Sequence, residues 1–98
     1  MGTLFGLNIK SVTANYTTTN QDSVIIANTT SGQIIITLAS AAISAGQFLL
    51  IKRVGVSRVT IQTTGSDKID DANSVLLSTN FAQKMLVSDG VSIWLKLA

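Results

Sequence analysis

The stretch Val24-Ile25-Ile26-Ala27-Asn28-Thr29-Thr30-Ser31-Gly32-Gln33-Ile34-Ile35-Ile36-Thr37 decides the fold. Two β-branched runs flank a polar segment that ends in Ser31-Gly32. Branched side chains suit a pleated sheet, and the Thr-Ser-Gly cluster is a turn signal. Neither run alternates apolar with polar residues, so both faces of each strand are apolar. Phe48-Leu49-Leu50-Ile51 repeats the pattern. One face of each strand must line a core, and the other needs a second layer or a neighbouring subunit, because monomers rarely expose large apolar patches. A chain of 98 residues cannot easily build three layers. The surplus reads as surface reserved for copies of the same chain, and Ile25, Ile35, Leu49 and Ile51 are assigned to that subunit interface; the alternative is a closed barrel whose outer face is apolar.

Outward from this stretch, turn signals recur at Asn20-Gln21-Asp22, Ala45-Gly46, Gly55, Gly65-Ser66-Asp67, Asp71-Ala72-Asn73 and Asp89-Gly90. Val12, Ala14 and Tyr16 alternate with polar neighbours, as do Val59 and Ile61. Asp89-Gly90 predicts a hairpin between Gln83–Ser88 and Ser92–Leu97. Ala39–Ala45 alone has helical character. The rhythm predicts an all-β sandwich or barrel over residues 11–98, and the form expected is a small antiparallel, jelly-roll-like β-sandwich of about seven or eight short strands. Residues 1–10 precede it as an attachment segment or an extra edge strand, and no internal repeat is evident. Within Ser92–Leu97, Trp94 shares a side with Ser92 and Lys96, opposite Ile93, Leu95 and Leu97. It reads as a rim or subunit-contact residue.

Composition removes several functions. The chain has no Cys, His, Glu or Pro. Zinc and copper lose their preferred ligands, a Ser-His-Asp machine has no imidazole base, and no disulfide framework exists. Hydrophobic residues reach 46% and charged residues only 12%, with net charge +2, which excludes disorder. Few charges and many hydroxyl and amide groups suit a non-enzymatic binding or structural module, with no cofactor. Gln33–Ile51 carries no charge, but its β-branched run and interior polar residues read as strands and turns rather than a membrane helix. The mildly apolar start has no basic leader or cleavage signature, so secretion by a signal peptide is not expected.

Three candidate constellations remain. Asp67, Asp70 and Asp71 offer oxygen ligands for a cation such as calcium, but they lack EF-hand spacing and sit where turn aspartates belong. Lys52, Arg53 and Arg58 straddle Gly55 and could form an anion or nucleic-acid patch. With little net charge and few stacking aromatics, they read as a solvated hairpin end, and no nucleic-acid partner is expected. Tyr16 and Trp94 offer stacking surfaces for a sugar.

The order Tyr16-Thr17, Ser23-Val24-Ile25-Ile26-Ala27-Asn28-Thr29, Ser31-Gly32 and Ile34-Ile35-Ile36-Thr37-Leu38 resembles a module of tailed-bacteriophage appendage proteins. The similarity continues through Gly46-Gln47, Leu50-Ile51-Lys52, Val59-Thr60-Ile61, Gly65-Ser66-Asp67-Lys68-Ile69-Asp70, Val87-Ser88-Asp89-Gly90 and Trp94. It spans about residues 16 to 97. Ala39 departs from it where such modules often carry Pro, and Asp71 where they often carry Gly. The resemblance implies a small β-sandwich that trimerises in a tail fibre, spike, head fibre or capsid decoration, with no catalytic motif. If these residues are the whole gene product, a fibre shaft has no length to form, and a place on the virion surface is expected. Leu4, Phe5, Leu7 and Ile9 would then dock on a capsid or tail protein. The alternatives are a fibre tip that binds host surface glycans and a stand-alone carbohydrate-binding module.

Overall fold

The computed structural model describes residues 8–97. Ten strands occupy them: β1 (Ile9–Val12), β2 (Tyr16–Thr17), β3 (Val24–Asn28), β4 (Ile34–Thr37), β5 (Phe48–Val54), β6 (Val59–Gln62), β7 (Lys68–Ile69), β8 (Ser74–Leu77), β9 (Gln83–Ser88) and β10 (Ile93–Lys96). A single turn of 3-10 helix, Ala41–Ile43, lies between β4 and β5. The fold is all-β, as expected. Two sheets enclose one core, in a layering compatible with a β-sandwich. A six-stranded sheet runs β1-β3-β5-β9-β10-β7, and a four-stranded sheet runs β2-β4-β6-β8.

The strand directions correct the antiparallel, jelly-roll expectation, and the strand count exceeds the seven or eight foreseen. From β1 to β8 the chain crosses to the other sheet after every strand. The first returns to each sheet run parallel to the strand already there: β1 with β3, β3 with β5, β2 with β4, and β4 with β6. Parallel neighbours need a long crossover, and here the strand of the opposite sheet supplies it. Antiparallel pairing comes later, in β5 with β9, β9 with β10, and β6 with β8. The β9–β10 hairpin falls where Asp89-Gly90 predicted it. The helical turn also lies within Ala39–Ala45, held at its start by the Ser40 hydroxyl, which accepts from the Ala42 amide.

The runs that do not alternate lie mostly in parallel pairings: Val24–Ala27 beside Leu50–Arg53, and Ile34–Ile36 beside Val59–Ile61, while Phe48 and Leu49 pair antiparallel with Val87 and Leu86. Stacked inward residues build the core: Ile25 beside Ile51, Ile34 beside Val59, and Ile36 beside Ile61, with Leu77, Leu86 and Trp94 closing it. Truncating a buried Ile or Leu to Ala typically costs about 2–5 kcal/mol, a large part of the roughly 5–15 kcal/mol that holds a small domain together.

The boundary drawn between residues 10 and 11 falls inside β1. Ile9 and Lys10 pair with Val24 and Ile25 as an edge strand. Leu4, Phe5 and Leu7 lie outside the described residues. Among the described residues no helix is long and apolar enough to cross a membrane.

Candidate functional site

The feature that stands out is the outer face of the six-stranded sheet. Side chains alternate across a strand, so burial of Ile25, Leu49, Ile51, Leu86 and Trp94 sends their neighbours outward. Ile9, Val24, Leu50 and Met85 fall opposite one another across β1, β3, β5 and β9. The Leu97 amide donates to the Met85 carbonyl and carries the row beyond β10. Phe48, Val87 and Leu95 form a second row on the same face. Polar character returns one row further along, with Ser11, Ile26, Lys52 and Gln83. At that border the Lys52 ammonium lies 5.6 Å from the centroid of the exposed Phe81 ring. Eight apolar side chains in two adjoining rows, with no charge among them, make a continuous patch of the kind that marks interaction surfaces.

The four-stranded sheet shows the opposite chemistry. Its outward residues are Ile35, Thr60 and Leu76 in one row and Thr17, Thr37, Gln62 and Ser74 in the next. Hydroxyl and amide groups dominate there, and Gln62 donates to the Thr37 hydroxyl.

The interface residues drawn from sequence are corrected in part. Ile25, Leu49, Ile51 and Trp94 have no exposed surface in the single chain and so have none to offer a second copy. Ile35 does face solvent, but on the polar sheet. The runs are two-faced, and in β3 and β5 the outward members are the neighbours of Ile25, Leu49 and Ile51. Leu50, not Leu49 or Ile51, faces out, and Ile26 and Val24 do so rather than Ile25. Met85, Val87, Leu95 and Leu97 were missed because their strands, with Lys and Ser interspersed, gave no surplus signal. Ile9 is exposed and joins the outer row.

Trp94 also leaves the list of sugar platforms. Its ring is buried between the sheets, and its indole N–H donates to the Ala39 carbonyl at 3.1 Å. Tyr16 packs against the core, and its hydroxyl donates to Asp22 Oδ2 at 2.8 Å. Burial, then the hydrogen bond and negative charge of Asp22, raise the Tyr16 phenol above its ordinary value.

The aspartates serve separate parts of the fold. Asp67 accepts from the Ala41 amide at the 3-10 turn, Asp70 accepts from the Lys96 amide, and Asp71 is exposed. Among the described residues no three acidic or other metal-ligating side chains converge. The basic trio is likewise divided. Lys52 lies on the outer face and Arg58 is exposed, but Arg53 is 5% exposed and points between the sheets. The solvated-hairpin reading fails for Arg53, because β5 and β6 belong to different sheets and form no hairpin.

Comparison with protein-family models, with curated proteins and with solved structures finds no match to this chain.

Proposed function

We propose that this protein is a non-enzymatic structural component of a bacteriophage virion, a homotrimer that decorates the head or forms a short head fibre. The observation that carries the assembly part is the two-row apolar face of the six-stranded sheet. Burying it between copies removes apolar area from water at roughly 25 cal/mol per Å², against which association costs are set. A three-fold arrangement repeats each weak contact with the virion and raises avidity. The polar face of the four-stranded sheet is then left to solvent. The viral part rests on the resemblance of residues 16 to 97 to phage appendage modules, and attachment is assigned to the chain around Leu4, Phe5 and Leu7.

Sedimentation equilibrium tests the assembly. The expected mass is three times that of the 10.3 kDa chain. Leu50→Lys and Val87→Lys should each yield folded monomer, since both side chains face outward. A monomeric wild-type protein at micromolar concentration would remove the trimer. A virion map with no density for this chain on head or tail would remove the viral role.

A further inference from the structure

At the end of the sandwich where β3, β5 and β8 terminate, Gln33, Arg53, Val56, Ser57, Arg58 and Ser78 line an open cleft of about 330 Å³. The Arg53 guanidinium is its unusual component. Arg53 extends inward from β5, beyond Ile51, and Nη1 reaches the Leu77 carbonyl of β8 at 3.4 Å. Nη2 donates to the Gly55 carbonyl at 3.1 Å, and the buried Nε has no partner. Neutral carbonyls satisfy donors but supply no counter-charge. A guanidinium keeps its charge on burial, and a buried charge is costly unless it is paired. The cleft adds a second cation, Arg58, and includes no carboxylate among its lining residues. Two like charges around one cavity repel unless an anion lies between them.

The remaining lining groups suit such an anion. Ser57 and Ser78 bring hydroxyl donors, and Gln33 brings an amide. The volume is about ten times the ~30 Å³ share of one liquid water, which leaves room for an anion and part of its hydration. Guanidinium forks match the oxygen spacing of phosphate and carboxylate, and a lining that offers two guanidiniums, two hydroxyls and an amide suits a group with several acceptor oxygens. We propose that this cleft binds a tetrahedral oxyanion, a phosphate or sulfate group, between Arg53 and Arg58. The site lies apart from the apolar sheet face and does not rest on the trimer.

The test is a titration of the isotope-labelled full chain with inorganic phosphate, sulfate and glycerol phosphate, with chloride holding ionic strength constant. The readouts are the Arg53 Nε–H resonance and the Ser57 and Ser78 amide resonances. Saturable shifts at these groups are expected. Arg58→Ala should weaken binding about tenfold, equivalent to about 1.4 kcal/mol, and it should fold normally because Arg58 is exposed. Arg53→Lys keeps the charge, loses the fork and should weaken binding further. Tighter binding of glycerol phosphate than of inorganic phosphate would identify a phosphate carried on a larger molecule, and the reverse order would identify the free ion. Either order supports the site. Shifts that stay linear with concentration, or are unchanged in Arg58→Ala, would overturn the proposal and leave Arg53 as a strut between the sheets.

Discussion

The indole N–H of Trp94 donates to the carbonyl of Ala39 at 3.1 Å and thereby ties β10 of the six-stranded sheet to the chain leaving β4 of the other. Trp94 fills the core with a large ring and also satisfies a backbone acceptor there. Trp94→Phe keeps most of the ring and leaves the Ala39 carbonyl without this donor, a loss worth about 1–3 kcal/mol. Trp94→Ala adds a cavity and should cost about 3–5 kcal/mol. Urea denaturation checks both. As the only tryptophan, Trp94 should also show emission typical of an apolar environment, moving to longer wavelength on unfolding.

Gly55 is held by two constraints. Its φ of 118° is one that side chains rarely adopt, and a Cβ there would lie 2.7 Å from the Thr29 hydroxyl and 3.0 Å from the Thr30 amide nitrogen. The Thr29 hydroxyl donates to the Val54 carbonyl and accepts from the Ser57 amide, so it cannot move aside freely. Gly55→Ala should lower stability by about 1–3 kcal/mol for the backbone alone, with the clash added. Gly46→Ala, with φ of 73° and open space around it, should cost less. Thermal melts of the two variants give the comparison.

Asp89 organises the β9–β10 turn. Its Oδ1 accepts from the amides of Val91, Ser92 and Ile93, and these bonds, that from Val91 foremost, hold its carboxyl below the ordinary 3.8. A lowered folded value means that the carboxylate favours the fold above pH 3.8 and that this contribution fades as pH falls through the folded value. Asp89→Asn should flatten that acid limb of the stability profile. Equal acid limbs in the two proteins would show that the turn does not depend on the charge.

Tyr16 gives the opposite sign. Its folded value lies above 10.0, through burial first and Asp22 second, so its contribution is complete below pH 10.0 and disappears as pH rises through the folded value. Tyrosinate absorbance should therefore develop late in alkali. Asp22→Asn should bring it back toward the ordinary value, and a midpoint unmoved by that change would assign the shift to burial alone.

Much of the architecture was legible in local sequence. β-Branched runs between turn residues identify strands without reference to distant contacts, and Asp89-Gly90 places the terminal hairpin because the turn is built from adjacent residues. The short helical turn likewise falls within Ala39–Ala45, where local composition placed helical character. The face of the candidate site was less accessible. In Ile93-Trp94-Leu95-Lys96-Leu97 three aliphatic residues oppose Trp94, and counting apolar side chains sends Trp94 outward. The structure reverses this, because the space between the sheets takes the large ring and the aliphatic residues join an outer face that is itself apolar. When both faces are apolar, alternation no longer says which one is the core.

By itself, then, the sequence determined that this chain is all-β, lacks the His and Cys of the common catalytic triads and carries strands with apolar residues on both sides. Only the tertiary structure decided strand direction, because which strands become neighbours, and in which direction, depends on how the chain winds between the two sheets. It also decided that Leu50 and Val87 face outward while Leu49 and Trp94 do not, since register between distant strands sets which rows coincide. Arg53 is the sharpest case. Between Lys52 and Val54 it reads as a surface cation, and only the burial of Leu49 and Ile51 on the same face of β5 sends its charge inside.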